Sequence, residues 1–234
     1  MITKGTELTT FITGLNGGAS IDATLLDVLV DTAKSIIEEE RPWMVLRKTD
    51  TSKSLTTANL WTTSLDISTI TDFSRFYGEL PVILFDGDNK IQHYRLIPFD
   101  RRLEYKDVSN TFCHDENAKK LYFNGVVPFA GTLYINYVST SSAIDLTADV
   151  ACWTSFPSRF LPLLGFYSVG VHKGAVDYDS INKLMLPSNQ VVMVALKNAM
   201  EKWDNEKQMS SIENNDPTES YDGSFKNGAV NRNG

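Results

Sequence analysis

Two cysteines, three histidines, a deficit of basic charge and the absence of any long apolar run set the first limits on this 234-residue sequence. Cys113 and Cys152 are too few for a disulfide scaffold and lack metal-ligand spacing, which predicts synthesis in a reducing compartment; one bridge between them stays open. No window of about 18 apolar residues is present, so no membrane-spanning helix is expected. The N-terminal MITKGTELTTFITGLNGG lacks the apolar stretch and small-residue cleavage site of a secretory signal, and the chain is expected to be made in the cytoplasm. Lys and Arg number 22 against 29 Asp and Glu, a net charge of −7. That balance argues against a nucleic-acid binder working by phosphate neutralisation, which needs clustered cations, and leaves passive contact with DNA open.

Chemical machinery is equally scarce. His93, His114 and His172 stand in no HExxH or zinc-finger spacing, and GxSxG, GxxxxGKS and GxGxxG are all missing. Cys113-His114-Asp115 juxtaposes a thiol, an imidazole and a carboxylate. Neighbours on an extended segment point to opposite faces, however, so these three cannot relay a proton among themselves. Asp86-Gly87-Asp88-Asn89 offers hard oxygen ligands but no bidentate Glu at calcium-loop distance, and reads as a hairpin turn. We expect no catalytic, cofactor or metal site.

What is present is an ordinary globular composition, 42% hydrophobic and 22% charged, enough for a buried core without disulfides. Behind a Gly- and Thr-rich lead, Ser20 is a candidate cap for a helix from Ile21 to about Glu40. Its stripe is Leu25, Leu26, Leu29, Val30, Ala33, Ile36 and Ile37, and Pro42 ends it. From Trp43 to Ile144 the period shortens to two. Residues 81–85 and 91–97 form a hairpin around Asp86–Asn89; 120–126 and 132–139 form a second pair; 69–77 reads as a short helical turn. Helical signals return after Pro157 and stop near Gly174, with Asp179 as the next candidate cap. Pro187 then opens a last helix to about Met209 on the stripe Val192, Ala195, Leu196, Ala199, Met200 and Trp203. Residues 210–234 are rich in Asn, Ser, Gly and Asp and are expected to be a flexible tail. The fold class is α+β: a small helical bundle from residues 1–43 and 145–209, with an inserted antiparallel β-rich module over 44–144.

Few residues stand out as contact groups. Trp43, Trp61, Trp153 and Trp203 read as packing residues, since no basic groove accompanies them. The run Glu38-Glu39-Glu40 reads as a solvated face or an acidic contact surface. Arg101-Arg102 has the chemistry to grip a phosphate or a partner's carboxylate, with a surface ion pair to Glu104 as the plainer reading. Tyr221 and Phe225, isolated in a polar tail with no core to join, are candidate anchors for a partner's pocket.

In order, the sequence gives an apolar N-terminal helix, EEERPWMVLRKTD, a β-rich insert ending LYFNGVVPFAGTLYINYVSTSSAI, then FPSRFLPLLGFYSVG, a last helix ending AMEKW, and a polar tail. This order resembles the head-to-tail adaptor, or neck connector, proteins of tailed bacteriophages over most of the chain. The segment Glu40-Arg41-Pro42-Trp43 and the Trp-ended last helix carry the resemblance, and neither is a catalytic motif. The resemblance implies a closed ring, commonly of twelve copies, beneath the portal protein. DNA would pass through its channel, the C-terminal segment would dock on the portal, and a tail or stopper protein would lie downstream. It also implies a place in the virion neck after synthesis in the host cytoplasm, and no enzymatic activity. An acidic balance suits a channel wall, since like charge keeps phosphates from sticking. The insert exceeds what a minimal helical adaptor needs, and a lower rim receiving a tail component is one role for it. Two other readings stand beside this one: a tail-completion or tail-tube-side neck protein, and a carbohydrate- or peptide-binding module using the Tyr- and Phe-rich insert.

Overall fold

Helix α3 (Leu161–His172) is apolar on every side, and a helix of that kind belongs at the centre of a core. In the computed structural model, which describes residues 2, 4–57, 64–147 and 153–214, nine of its residues are buried. Packed around it are α1 (Gly5–Leu15), α2 (Ala23–Glu40), α4 (Tyr178–Leu184) and α5 (Pro187–Asn214). Two glycines make the close packing feasible. A Cβ on Gly165 would sit 2.6 Å from the Phe11 ring, and one on Gly170 would sit 2.6 Å from Ile181.

The helix boundaries differ from the sequence reading in specific ways. The Gly- and Thr-rich lead contains α1, whose Leu8, Phe11, Ile12 and Leu15 recur at helical spacing; Leu8 and Ile12 are fully buried. Its threonines are accommodated because Thr9, Thr10 and Thr13 each donate to the carbonyl four residues back. The cap of α2 is Asp22, not Ser20: its carboxylate accepts from the backbone N–H groups of Thr24 and Leu25, at 3.0 and 3.2 Å. Leu25 consequently faces out while Leu26, Leu29, Val30, Ala33 and Ile37 face in. The cap of α4 is Asp177, accepting from Ser180 N–H at 2.8 Å, and not Asp179. Helix α5 runs five residues past the expected end at Met209. It also packs through a rotated face, with Met193, Met200 and Asp204 buried and Val192, Ala195 and Ala199 exposed.

Between α2 and α3 the chain makes eight strands: β1 (Arg47–Leu55), β2 (Ser64–Asp66), β3 (Phe73–Phe76), β4 (Val82–Phe85), β5 (Ile91–Ile97), β6 (Thr111–Asp115), β7 (Lys120–Phe123) and β8 (Gly131–Ser139). Their order is β1-β8-β4-β5-β6-β7-β2, with β3 also paired to β8. First and last strands lie side by side, Arg47 opposite Val138, so the chain enters and leaves the unit at one place. That is what lets it sit inside a helical bundle. The β4–β5 hairpin forms as its turn chemistry requires, with Asp86 accepting from the N–H groups of Asp88 and Lys90. The second expected hairpin does not form: β7 pairs with β6 and β2, while β8 pairs with β1, β3 and β4. The sheet is mixed and not wholly antiparallel, because β5 and β6 run parallel. Residues 73–76, read as part of a helical turn, are strand β3; pairing with β8 overrides the local signal.

Each unit has its own core: one around α3 with Trp43 and Trp153, another around Val82, Leu84, Phe112, Phe123, Leu133 and Ile135. A polar seam runs along α2 against the segment that leaves β8 and against α3 and α5. Lys34 donates to the carbonyls of Ser141 and Ser142 at 3.0 and 3.1 Å. Glu38, 6% exposed, accepts from Ser141 N–H and hydroxyl and from the Trp153 indole. Glu40 accepts from the Tyr167 hydroxyl at 2.5 Å and meets Lys197 at 2.9 Å. Of the acidic run, then, Glu39 and Glu40 are exposed as expected, and Glu38 is structural, because a buried carboxylate is tolerated only with its lone pairs filled.

Candidate assembly surfaces

The rotation of α5 leaves aliphatic side chains in water. Around the α4–α5 corner Val176 is 77% exposed, Leu186 69% and Val191 71%, with Leu184, Val192 and Val194 exposed beside them. Leu186 sits where α5 begins, its carbonyl accepting from Gln190 N–H at 2.9 Å, so the corner is held by backbone geometry. Six large aliphatics are exposed within these nineteen residues, a concentration of solvent-facing apolar side chains that offers surface for an interaction. A second pair, Leu25 and Val28, lies on the outer side of α2.

A different surface forms on the β unit. Phe73, Phe76 and His114 gather edge to face, with ring centroids 4.9 to 5.4 Å apart. They line an open cleft of about 840 Å³ whose rim includes Leu96, Phe99, Asp115 and Glu116. Burial pushes the His114 imidazole below its ordinary 6.5, with Asp115 and Glu116 opposing and Lys119 reinforcing the shift. The unfolded chain therefore takes up this proton first as pH falls. Above about pH 6.5 the group leaves stability unchanged; below it stability declines until the folded imidazole also titrates. Wild type is expected to lose more unfolding free energy between about pH 7 and 5 than the His114→Phe variant, as read by urea denaturation at each pH.

Cys113 and His114 go to separate surroundings, as adjacent strand residues do. Cys113 is fully buried, its sulfur 3.8 Å from the Tyr122 carbonyl oxygen, and burial pushes its thiol up to about 11. Arg101 and Arg102 lie on a 3-10 turn, Phe99–Tyr105, that carries the chain from β5 to β6. The Arg101 guanidinium donates twice to Glu104 Oε2, at 2.9 and 2.7 Å, and Arg102 stacks 3.8 Å over the Tyr122 ring. Tyr221, Phe225, Trp61 and Cys152 lie outside the described residues.

The two stretches that carry the adaptor resemblance meet in space. Arg41 Nη2 is 3.1 Å from Asp204 Oδ2, and Phe156 contacts both Trp43 and Trp203 at centroid distances of 5.6 and 6.1 Å. Charge is divided between the units. Residues 47–139 hold eleven basic and eleven acidic side chains, so the net −7 comes from the helical unit and the C-terminal segment. Among the described residues no helix is long and apolar enough to cross a membrane, and no three His, Cys, Asp or Glu side chains converge to hold a metal ion. The sequence matches no protein-family model and no curated protein.

Proposed function

We propose that this chain is a structural, non-enzymatic neck component of a tailed bacteriophage, a head-to-tail adaptor that closes with eleven further copies into a ring under the portal. DNA passes through the ring, a tail or stopper protein follows below, and the C-terminal segment with Tyr221 and Phe225 engages the portal. The observation that carries the reading is the exposed aliphatic corner of α4 and α5, together with the separate pair on α2. Head-to-tail closure requires two different complementary patches on one chain and no active site. The order of elements that prompted the resemblance supports it too, as does a helical unit that carries the acidic excess. The aromatic cleft on the β unit favours a second reading, a non-enzymatic ligand-binding module.

Electron microscopy of the protein mixed with its virion's portal tests the proposal. Wild type is expected to decorate the portal as a ring. The Tyr221→Ala/Phe225→Ala chain is expected to lose at least about tenfold in portal occupancy, the loss of one or two anchor side chains. Leu186→Asp/Val191→Asp is expected to bind without closing a ring. Rings from wild type and both variants alike would remove the assigned roles of tail and corner. Binding to isolated tails and not to portals transfers the protein to the tail side of the neck, and binding to neither favours the ligand-binding module.

A further inference from the structure

The aromatic cleft of the β unit is open, with three rings at its floor. We infer that Phe225 and Lys226 of this same chain dock in the cleft floored by Phe73, Phe76 and His114, giving the C-terminal segment a resting site on its own β unit.

Three observations converge on that segment. The first is chemistry: the floor is three rings already arranged edge to face, a geometry that a further aromatic side chain extends favourably. His114 Nε2 is buried there with no hydrogen-bond partner among the described residues, so the floor offers an inserting ring an apolar surface and one unused polar atom. The second is charge. Among the residues lining the cleft Arg75 is the basic one, and its guanidinium is directed at the backbone carbonyls of Glu38 and Glu39, at 3.5 and 3.4 Å. Asp115 and the exposed Glu116 bring acidic charge to the rim beside His114, where Lys119 acts with the opposite sign. Residues 223–234 contain Lys226 and Arg232 and no acidic residue, whereas Tyr221 is flanked by Glu219 and Asp222. Phe225 followed by Lys226 matches the cleft; Tyr221 in its acidic run does not.

The third is reach. Strand β3 is tied to the C-terminal end of α2 by Arg75, and α5 is tied to the same end by the Arg41–Asp204 pair. Both the cleft and α5 are thus anchored at one point. From Asp204 to Asn214 the helix advances about 15 Å. The eleven residues from Asn214 to Phe225 extend up to about 36 Å, more than twice that advance, which lets the segment turn back past the shared anchor toward the cleft of its own chain. The patch at Val191 lies about 35 Å back along α5 from Asn214, and reaching it would take the whole extended length. The segment is short enough to favour the cleft and to keep its effective concentration there high.

This inference concerns the free chain and holds whether or not the protein serves in a phage neck. If it does, the cleft and the portal compete for one segment.

A photocrosslinker decides it. The full chain carrying Phe225→p-benzoylphenylalanine, irradiated alone at low concentration, is expected to give a product of monomer mass linked to peptides containing Phe73–Phe76 or Leu96–Phe99. Adding Glu116→Lys, an exposed substitution that leaves the core intact, is expected to lower that yield severalfold. Linkage to the α4–α5 corner, a product of dimer mass, an absent product, or a yield indifferent to Glu116→Lys would each overturn the inference. None of these outcomes depends on the portal, so its failure is separable from failure of the adaptor reading.

Discussion

Replacing Asp204 by alanine is expected to destabilise the protein by about 3 kcal/mol, a large share of the stability of a domain this size. The side chain is fully buried; Oδ1 accepts from Met44 N–H at 2.6 Å, and Oδ2 lies 3.1 Å from the Arg41 guanidinium. That second approach is close without being aligned as a hydrogen bond, so the attraction is coulombic. Alanine leaves a buried N–H without its acceptor and a guanidinium, 28% exposed, without its counter-charge. The exposure of Arg41 places the loss toward the lower end for broken buried pairs. The Asp204→Asn variant keeps an acceptor for Met44 and is expected to recover roughly half of the loss. Urea unfolding of wild type and the two variants measures this, and an alanine variant within about 1 kcal/mol of wild type would show that the pair does not hold α5 to the end of α2.

Phe156→Ala is expected to cost about 3–5 kcal/mol, the usual range for a phenylalanine removed from a close-packed core. Its ring lies 4.4 Å from Trp153, 5.6 Å from Trp43 and 6.1 Å from Trp203, centroid to centroid, and it is the element common to all three contacts. Removal opens a cavity where the segment before α3, the end of α2 and α5 meet. A fall in Tm of roughly 10 °C follows from the size of the domain, with loss of near-ultraviolet circular dichroism as three indoles change surroundings together. Retention of that signal with a small Tm change would mean that the neighbouring rings close the gap.

The segments legible in the sequence are those in which a local signal and a burial pattern agree. The stripe of α2, Leu25 apart, states both the element and the side that is buried, while the Asp86–Asn89 hairpin and the apolar run of α3 state the element. Where two local signals compete, the sequence misleads. Ser20 and Asp22 both suit an N-cap, and only the packing of Leu26 against the core selects Asp22. Asp177 and Asp179 pose the same choice for α4. Helix α1 was legible in the spacing of Leu8 and Ile12, but the surrounding threonines obscured it, and their hydroxyl bonds to the helix's own carbonyls explain why they do no harm. The aromatic cleft had no local signature, because Phe73 and Phe76 of β3, Leu96 of β5, Phe99 of the turn after it and His114 of β6 come from segments that are distant in sequence.

By itself the sequence determined the fold class, the placing of a β-rich insert between two helical stretches, and the scarcity of groups able to do chemistry; these follow from composition, period and residue type, which are local properties. Tertiary structure alone decided which residues share a face. It turned α5 so that Met193, Met200 and Asp204 point inward and its valines outward, paired β8 with β4 in place of β7, and buried Glu38 where a solvated run was expected. The physical reason is that several helix faces and strand registers satisfy the local preferences of these segments almost equally. The choice among them falls to long-range burial and to the filling of every buried polar group, and neither exists until distant parts of the chain have met.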